Sequence, residues 1–147
     1  MRILLQRVNS ASVKIADSVV GEIKKGLVCF VGIAVDDDSD DIDYVVGKTL
    51  GLRVFNNKEG KFDFSIQDVY GELLVVSQFT LYANTQKGKR PSFTTAMPPI
   101  KASSLFDETV QKFRASGLKV ETGQFQEEME VSLENDGPVT IMIDSKN

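Results

Sequence analysis

The sequence predicts a single α/β domain that is rich in strands and has two main helices. Its length of 147 residues fits one domain well and two domains poorly. Most of the chain shows either alternation of apolar and polar residues or short apolar runs, and both are typical of strands. Apolar residues follow helical spacing in only two segments. Since no repeat, linker or low-complexity tract interrupts the chain, one domain is expected to span residues 1–147.

The N-terminal part is expected to form strands. Alternation with β-branched residues predicts short strands at Arg2–Asn9, Ser12–Ile15 and Val19–Ile23. The next stretch, Gly26–Val35, is almost continuously apolar, which is typical of a central strand covered on both faces.

The first helix is expected to begin in the acidic segment Asp36–Asp43. Asp38 or Ser39 can serve as its N-cap, and the carboxylates that follow stabilise the positive end of the helix dipole. Apolar residues at helical spacing extend this helix to about Val54.

Turn residues and apolar periodicity divide the rest of the chain. The expected elements are a turn at residues 56–60, an alternating strand over Phe62–Ile66, a buried strand over Glu72–Ala83, a basic loop over Thr85–Pro91, and a second helix that follows Pro98 and Pro99 and stops at Gly117. The tail alternates over Met129–Leu133 and again over Val139–Ile143. Because Asn135–Pro138 lies between these segments and fits a β-turn, the tail is expected to form a hairpin-like pair.

Two absences limit the chemistry of any active site. The chain has no histidine, so neither a Ser-His-Asp nor a Cys-His arrangement can be built. Its one cysteine, Cys29, lies in the apolar run and is expected to be a buried small residue rather than a nucleophile. The usual zinc sites need histidine or several cysteines, so we expect no metal and no cofactor. Catalysis would have to use hydroxyls, backbone amides, carboxylates, lysines or groups on the substrate.

The sequence also indicates a compartment and a class of partner. No apolar run has transmembrane length, and the first eight residues contain Arg2, Gln6 and Arg7, unlike a signal peptide. A single cysteine is consistent with a reducing compartment, so we expect a cytoplasmic protein with no membrane partner. The net charge of −4 argues against a protein that coats long nucleic acids, but it allows recognition of one RNA end through a local basic patch.

Two polar segments each allow a structural and a functional interpretation. Ser77-Gln-Phe-Thr-Leu-Tyr82 ends the apolar strand Leu73–Val76. It is either a strand leaving the core or a platform where amides and hydroxyls converge on a ligand. Asn135–Pro138 fits a plain turn, yet Gly137 lets a ligand approach the main chain, and the Gly137–Pro138 bond is a candidate for the cis form.

The densest basic cluster is formed by Lys87, Lys89 and Arg90. Such a loop is usually solvated surface. In an acidic chain it is also the natural candidate for binding phosphates, together with Lys24 and Lys25.

Taken together, these segments resemble the D-aminoacyl-tRNA deacylase family, formerly called D-tyrosyl-tRNA deacylases. The resemblance covers essentially the whole chain. It runs through Met1–Val8, Gly71–Ala83, Lys87–Phe93 and Asn135–Thr140. Two of these segments contain the signature motifs of the family, Ser77–Leu81 and Asn135–Thr140, and both are intact.

The resemblance implies a homodimer with a three-layer α/β/β fold and a mostly antiparallel or mixed sheet. Each active site would combine Ser77, Gln78, Phe79 and Thr80 of one subunit with Gly137 and Pro138 of the other. It also implies a cis bond before Pro138, with Arg7 bracing this motif. Phe125, in the stretch Gly123–Phe125, and Met129 match positions that line the pocket for the terminal adenosine.

The activity implied is hydrolysis of the ester bond of D-aminoacyl-tRNA, and to some degree of Gly-tRNA, as a proofreading step. Because an aminoacyl ester is already activated, positioned backbone donors near Phe79 and Thr80 could suffice to stabilise the oxyanion. Thr80 is a nucleophile by residue type, but no histidine can act as its base. Water attack assisted by the ribose hydroxyl is therefore favoured, and both routes stay open. The alternatives are a non-catalytic RNA-end-binding module and an editing domain that acts on L-aminoacyl esters.

Overall fold

The strands of this protein form one large sheet and one small one. The computed structural model describes all residues from Met1 to Asn147. The elements are β1 Arg2–Ile15, β2 Ser18–Ile23, β3 Gly26–Gly32, α1 Ser39–Gly51, β4 Phe55–Asn56, β5 Phe62–Phe64, β6 Glu72–Ser77, a 3₁₀ turn Phe79–Tyr82, α2 Pro99–Arg114, β7 Val120–Thr122 and β8 Glu130–Asp144. Neither helix has the length and hydrophobicity that a membrane span requires.

The main sheet is built around β1. The first half of β1 pairs antiparallel with β3 and its second half pairs antiparallel with β2. Along almost its whole length β1 also pairs antiparallel with β8. The remaining pairs, β3 with β6 and β6 with β7, are parallel. The sheet is therefore mixed, as expected, and β4 and β5 form a separate two-stranded sheet.

The core has two parts, one on each face of β3 and β6. Successive side chains of a strand point to opposite faces, so the two parts draw on alternate residues. The part facing the helices includes Leu27, Cys29 and Val31 of β3, Leu73 and Val75 of β6, and Ile42, Val45, Phe106 and Val110 of the helices. The other part contains Val28 of β3, Leu74 and Val76 of β6, Val8, Ala11 and Val13 of β1, and Ile23 of β2. These two parts separate three layers, so the expected α/β/β architecture is confirmed.

Several predicted element boundaries in the first half of the chain were wrong. The two short strands expected at the N-terminus are one continuous strand, β1. The central strand ends at Gly32 instead of Val35. The first helix ends at Gly51 instead of about Val54, because Leu52 is extended while its N–H still donates to Lys48 O at 2.9 Å.

Two predicted elements in the second half were wrong in kind. The strand expected over Glu72–Ala83 stops at Ser77, and a 3₁₀ turn follows. The tail is not a hairpin-like pair but one strand, β8, that contains Asn135–Pro138 within it. The pairing of β8 with β1 continues past this motif, with register shifts on either side of Val8. The turn residues therefore form an irregularity in a strand instead of reversing the chain.

A network of hydrogen bonds fixes the start of α1. The Asp38 side chain caps the helix by accepting the N–H groups of Asp40 and Asp41, at 3.0 and 3.4 Å. The Asp41 carboxylate accepts the N–H of Asp38 at 3.0 Å, the hydroxyl of Ser145 at 2.6 Å and the ammonium of Lys146 at 3.0 Å. Burial opposes ionisation of Asp41, but these hydrogen bonds outweigh it and lower its pKa to about 2. Asp41 thus ties α1 to the C-terminal end of the chain.

We expect the free energy of unfolding to fall as the pH drops from about 4 to about 2, and Asp41→Asn to weaken this dependence. The pKa of Asp41 is about 2 in the folded chain and about 3.9 in an unfolded one, so the unfolded chain binds the proton first. The stabilisation is complete above the unfolded pKa and is lost as the pH falls through the folded one. Urea unfolding over this pH range measures it, with the exposed Asp40→Asn as control. Equal pH slopes in the two variants would contradict the assignment.

Candidate active site

A cavity of about 680 Å³ lies at the end of β6. Its walls come from the ends of β3 and β6, the start of α2 and the segment before and within the beginning of β8. Five of the predicted site residues line it, namely Ser77, Gln78, Phe79, Phe125 and Met129. The strand end and the adenosine-pocket positions, which are about 50 residues apart in the sequence, therefore meet in one place.

The 3₁₀ turn begins where β6 leaves the sheet. The N–H of Gln78 donates to Val31 O at 2.7 Å, which holds the start of the turn against β3. The N–H groups at the start of a helical turn have no partner within that turn, so those of Phe79 and Thr80 are available as donors. The Gln78 side-chain amide donates to the hydroxyl oxygen of Thr80. Thr80 lies in the turn but does not line the cavity.

Gly32 makes room for this turn at the end of β3. A Cβ atom at Gly32 would lie 3.0 Å from Leu81 Cβ, 3.1 Å from Gln78 O and 3.3 Å from Tyr82 Cδ2. Only a residue without a side chain leaves the turn undisturbed at these distances. Sequence reasoning did not single out Gly32, because it ends an ordinary apolar run.

Sequence reasoning also missed several residues of the cavity wall. They are Val31, Ile33, Val76, Phe93, Ala96, Met97, Pro98, Pro99, Ala102, Gln126, Glu127 and Val131. The rings of Phe93 and Phe79 are in edge contact, with centroids 4.9 Å apart. Pro98 and Pro99 were interpreted only as a helix start, and Phe93 carried no signal beyond its place after the basic loop. Glu127 is the one ionisable side chain in the wall.

The Gly137–Pro138 bond is cis, as expected, but this motif does not line the cavity of its own chain. Both residues are exposed. Along β8, Pro138 lies seven positions after Val131 in the cavity wall, which corresponds to roughly 20 Å of strand. The structure therefore does not bring the two signature motifs of one chain together.

Arg7 holds the main chain beside this motif. Its guanidinium donates to Asp136 O at 3.0 Å, to Val54 O at 2.7 Å and to Asn56 Oδ1 at 3.2 Å. Arg7 is only 5% exposed, so these acceptors replace the water that its charge would otherwise bind. An added Cβ at Gly137 would lie 3.2 Å from the Arg7 guanidinium, which shows how closely the two residues approach.

Asn135 fixes the other side of the same motif. Its side-chain oxygen accepts the N–H of Val139 at 2.7 Å, and its amide donates to Thr140 Oγ1 at 3.0 Å. These bonds span Asp136–Pro138 from both ends. The motif is therefore a rigid projection from β8.

The basic loop adjoins the turn. Its ends are closed by backbone hydrogen bonds between Asn84 and Ser92, at 2.8 and 3.0 Å. Between these two residues the side chains of Lys87, Lys89 and Arg90 are exposed. Phe93, three residues after Arg90, lines the cavity. Lys24 and Lys25 instead precede Gly26, at the end of β3 away from Gly32, so they do not join this loop at the turn.

The remaining titratable candidates do not form a catalytic or metal cluster. Cys29 is buried in the core, and this burial raises the pKa of its thiol to about 12. The thiol is therefore not a candidate nucleophile. No three His, Cys, Asp or Glu side chains are grouped so that they could hold a metal ion. The chemistry available at the cavity thus consists of main-chain amides, the Ser77 hydroxyl, the Gln78 and Gln126 amides and the Glu127 carboxylate.

The three layers and the cavity define a small α/β/β protein with a candidate site at a strand end. A family model described as D-Tyr-tRNA(Tyr) deacylase matches residues 4–144. The chain belongs to this family.

Relatives of known name agree with this assignment. A D-aminoacyl-tRNA deacylase of Thermotoga petrophila is 50% identical over 99% of this chain and 97% of its own. One of Desulfitobacterium hafniense is 53% identical over 99% of this chain and 98% of its own. Among solved structures, a c-Myc DNA Unwinding Element Binding Protein is 35% identical with a TM-score of 0.92, covering 98% of both chains. A probable eukaryotic D-amino acid tRNA deacylase has the same fold, with a TM-score of 0.88 at 17% identity over 97% of this chain and 98% of its own.

We expect Gly32→Ala to lower the free energy of unfolding by about 1–3 kcal/mol, the usual cost of overpacking, and to displace the 3₁₀ turn. Gly47→Ala is the matched control, because Gly47 is exposed within α1 and a Cβ there has no neighbour within 4 Å. The free energy of unfolding of Gly47→Ala should rise by roughly 0.5–1 kcal/mol, because alanine has a higher helix propensity than glycine. Urea unfolding and a crystal structure of each variant measure both effects. An unmoved turn in Gly32→Ala would show that the glycine is not required there.

Proposed function

We propose that this protein hydrolyses the ester bond of D-aminoacyl-tRNA, and to some degree of Gly-tRNA, in the cytoplasm. The observation that carries the proposal is the convergence of Ser77, Gln78 and Phe79 on the cavity. It is supported by relatives named D-aminoacyl-tRNA deacylase, which are 50 to 53% identical over nearly the whole chain. The products are free tRNA and the D-amino acid.

The chemistry relies on donors of the main chain. Attack on the ester carbonyl produces an oxyanion, and one positioned donor stabilises such a transition state by about 2.7–4 kcal/mol. The N–H groups of Phe79 and Thr80 are placed at the start of the turn to serve as these donors. Ser77 and Gln78 position the substrate. A water molecule attacks, assisted by the neighbouring ribose hydroxyl of the tRNA, and the ester oxygen of the ribose leaves with a proton.

The terminal adenosine occupies the apolar part of the cavity near Phe125 and Met129. Phe125 packs against Phe106 of α2, with ring centroids 5.9 Å apart, so its position is fixed by the helix. Gly123 leaves the space that the Met129 side chain occupies, because a Cβ at this position would collide with the sulfur of Met129. The glycine lets Met129 pack beside β1 and face the cavity.

The active site is completed by a second copy of the chain. Gly137 and Pro138 lie too far along β8 to reach the cavity of their own chain, yet Arg7 and Asn135 hold them as a rigid, exposed projection. In a symmetric dimer the same surface of each copy contacts the other, so each projection can enter the opposite cavity. The homodimer therefore has two equivalent sites.

This arrangement accounts for the choice of D over L amino acids. The two forms have the same groups and differ in where the side chain points once the amino group and the ester are fixed. Main-chain atoms of Gly137 and Pro138 form a wall on the side that an L side chain would occupy. A D side chain points away from this wall, so many D-amino acids are accepted. Glycine has no side chain to collide and is also cleaved to some degree.

Deacylation of D-Tyr-tRNA, L-Tyr-tRNA and Gly-tRNA tests the proposal. We expect release of D-tyrosine, slower release of glycine and no release of L-tyrosine. Release of L-tyrosine would instead identify an editing domain for L-aminoacyl esters. Binding of the tRNA end without release would identify a non-catalytic module.

A nucleic-acid-binding role is the second candidate function. One observation favours it: the solved structure at 35% identity is that of a c-Myc DNA Unwinding Element Binding Protein. A related protein with the same fold is thus named for binding DNA. The deacylation assay separates the two functions, because a binding module gives no turnover with any of the three substrates.

We expect Thr80→Ala to retain substantial activity. The hydroxyl oxygen of Thr80 accepts a hydrogen bond from Gln78, and the residue does not line the cavity, so its side chain has a positioning role through Gln78 and does not attack the ester. Glu127→Gln, which removes the one carboxylate of the wall, should also remain active. Single-turnover deacylation of D-Tyr-tRNA measures both variants. A loss of about 10⁴-fold in Thr80→Ala would identify it as the nucleophile. A tRNA with a terminal 2′-deoxyribose should be cleaved much more slowly, and unchanged cleavage would exclude assistance by the ribose hydroxyl.

We expect the basic loop to govern tRNA affinity and not the chemical step. Neutralising Lys87, Lys89 and Arg90 together removes up to three phosphate contacts, so binding should weaken and its salt dependence should become shallower. The rate at saturating tRNA should stay close to that of the unchanged chain. Lys24→Gln/Lys25→Gln, at the far end of β3, is the control. A collapse of the saturating rate with an unchanged salt dependence would place the loop in the active site.

A further inference from the structure

The 3₁₀ turn is held from behind by a residue outside the cavity. The Nη1 of Arg2 donates to Leu81 O at 3.0 Å, and its Nε donates to Asp144 Oδ2 at 2.8 Å. Its guanidinium carbon also lies 4.6 Å from the centre of the Tyr82 ring. Arg2 thus makes two contacts with the turn and one with the end of β8. It is not among the residues that line the 680 Å³ cavity.

The strand register places Arg2 where the turn needs support. In the sheet, Arg2 pairs with Gly32 on β3 and with Asp144 on β8. Gly32 is the position against which Gln78, Leu81 and Tyr82 pack. The main chain at Gly32 therefore confines the turn on one side, and the guanidinium of Arg2 confines it on another.

We propose that Arg2 is a positioning residue for deacylation, which keeps the Phe79–Tyr82 turn in the geometry that its N–H donors require. This inference rests on the function proposed above. Arg2 acts through Leu81 and Tyr82 and does not touch the substrate. The carbonyls at the end of a helical turn have no partner within the turn, so without Arg2 the carbonyl of Leu81 is released and the turn can rotate.

An arginine is required for this geometry. Its planar guanidinium directs Nε and Nη1 to two acceptors at once while its face lies on an aromatic ring. A lysine has one ammonium on a flexible stem and cannot keep the Asp144 and Leu81 contacts together with the Tyr82 stacking. The ion pair with Asp144 fixes the orientation of the guanidinium and raises the pKa of Arg2.

A second cavity makes the guanidinium accessible from solvent. This cavity of about 710 Å³ is open to solvent, and most of its lining residues are of polar types, among them Arg2, Tyr82, Asp144 and the first residues of the basic loop. Removal of the Arg2 side chain would enlarge this cavity next to Leu81 O. A free guanidinium ion can then enter it and bind the same acceptors.

The test compares three variants with the unchanged chain, each at a temperature where it is fully folded. In Arg2→Met, which retains an unbranched apolar stem, we expect kcat for D-Tyr-tRNA to fall by roughly 10- to 100-fold, as for a small misplacement of catalytic groups. KM should change little, because Arg2 does not contact the substrate. Arg2→Lys should not restore kcat. Asp144→Asn removes the charge of the ion pair but still offers an acceptor for Nε, so kcat should fall less than in Arg2→Met.

Two outcomes of this comparison would overturn the inference. One is a kcat within about twofold of the unchanged chain in folded Arg2→Met. The other is a loss of kcat in Asp144→Asn at least as large as that in Arg2→Met, because the contact of Arg2 with Leu81 O would then add nothing to the ion pair.

Chemical rescue provides a readout that loss of stability would not produce. Guanidinium chloride at millimolar concentration should restore part of the kcat of Arg2→Ala. Urea, which has the same shape without the charge, should not restore it. Equal effects of the two compounds would contradict the assigned role.

A crystal structure of Arg2→Met separates failure of this inference from failure of the proposed function. If the unchanged chain has no deacylase activity, the proposed function is wrong, and the position of the turn then decides the structural inference. A displaced Phe79–Tyr82 turn supports the role of Arg2, and a turn in its original place overturns it. If the unchanged chain is active and the variant is equally active, only the inference fails.

Discussion

The antiparallel pairing of β1 with β8 is the interaction on which the rest of the structure depends. It extends from Arg2 opposite Asp144 to Lys14 opposite Glu130, so nearly every backbone group of β1 on that side has its partner in β8. The same strand pairs with β3 and β2, which connects the parallel part of the sheet to the outer β layer. Both halves of the proposed active site are positioned relative to β1. Arg2 contacts the turn that follows β6, and Arg7 contacts the motif within β8.

The irregularity in this pairing has a functional meaning. A regular ladder would align Asn135–Pro138 with β1 and leave no projection. Between the pairs Gln6–Thr140 and Val8–Asn135, residues 136–139 of β8 have no partner on β1, and the side chains of Arg7 and Asn135 supply hydrogen bonds that the ladder does not make there. The energetic requirement is strict for Arg7, because a buried guanidinium without acceptors would be strongly destabilising. Side-chain hydrogen bonds thus hold the main chain of β8 in place where its pairing with β1 is interrupted.

The sequence predicted the layers of the fold better than the ends of its elements. Alternation and apolar runs depend on burial, and burial depends on which face a residue occupies. The type and place of β3 and of the two helices were therefore predicted correctly, although β3 and α1 end earlier than predicted. The 3₁₀ turn was missed because Phe79, Leu81 and Tyr82 continue the apolar pattern of β6. Its position is decided by the space above Gly32 on another strand, which no local pattern encodes. The tail was misinterpreted for a similar reason. Asn135–Pro138 has the composition of a turn, but pairing with the long strand β1 carries β8 straight through it.

The candidate site shows the same division. Ser77, Gln78, Phe79, Phe125 and Met129 were predicted and meet in the cavity, whereas Phe93, Met97 and Pro98 join them through tertiary packing and had no signal of their own. The absence of histidine restricted the chemistry at the outset and agrees with the proposal that main-chain groups donate to the oxyanion. Within one chain, however, this site is separated from Gly137 and Pro138. The central claim is therefore that two copies share each active site.

Complementation between two defective chains tests this claim most directly. One chain would have Ser77→Ala/Gln78→Ala in its cavity, and the other would have Gly137→Ala in its projection, where a positive φ of 140° strains any side chain. Unfolded together and refolded at equal concentration, half of the symmetric dimers are mixed, and each mixed dimer has one intact site. The mixture should then recover about one quarter of the activity of the unchanged protein towards D-Tyr-tRNA. A mixture no more active than the separate variants would show that each site is built from a single chain.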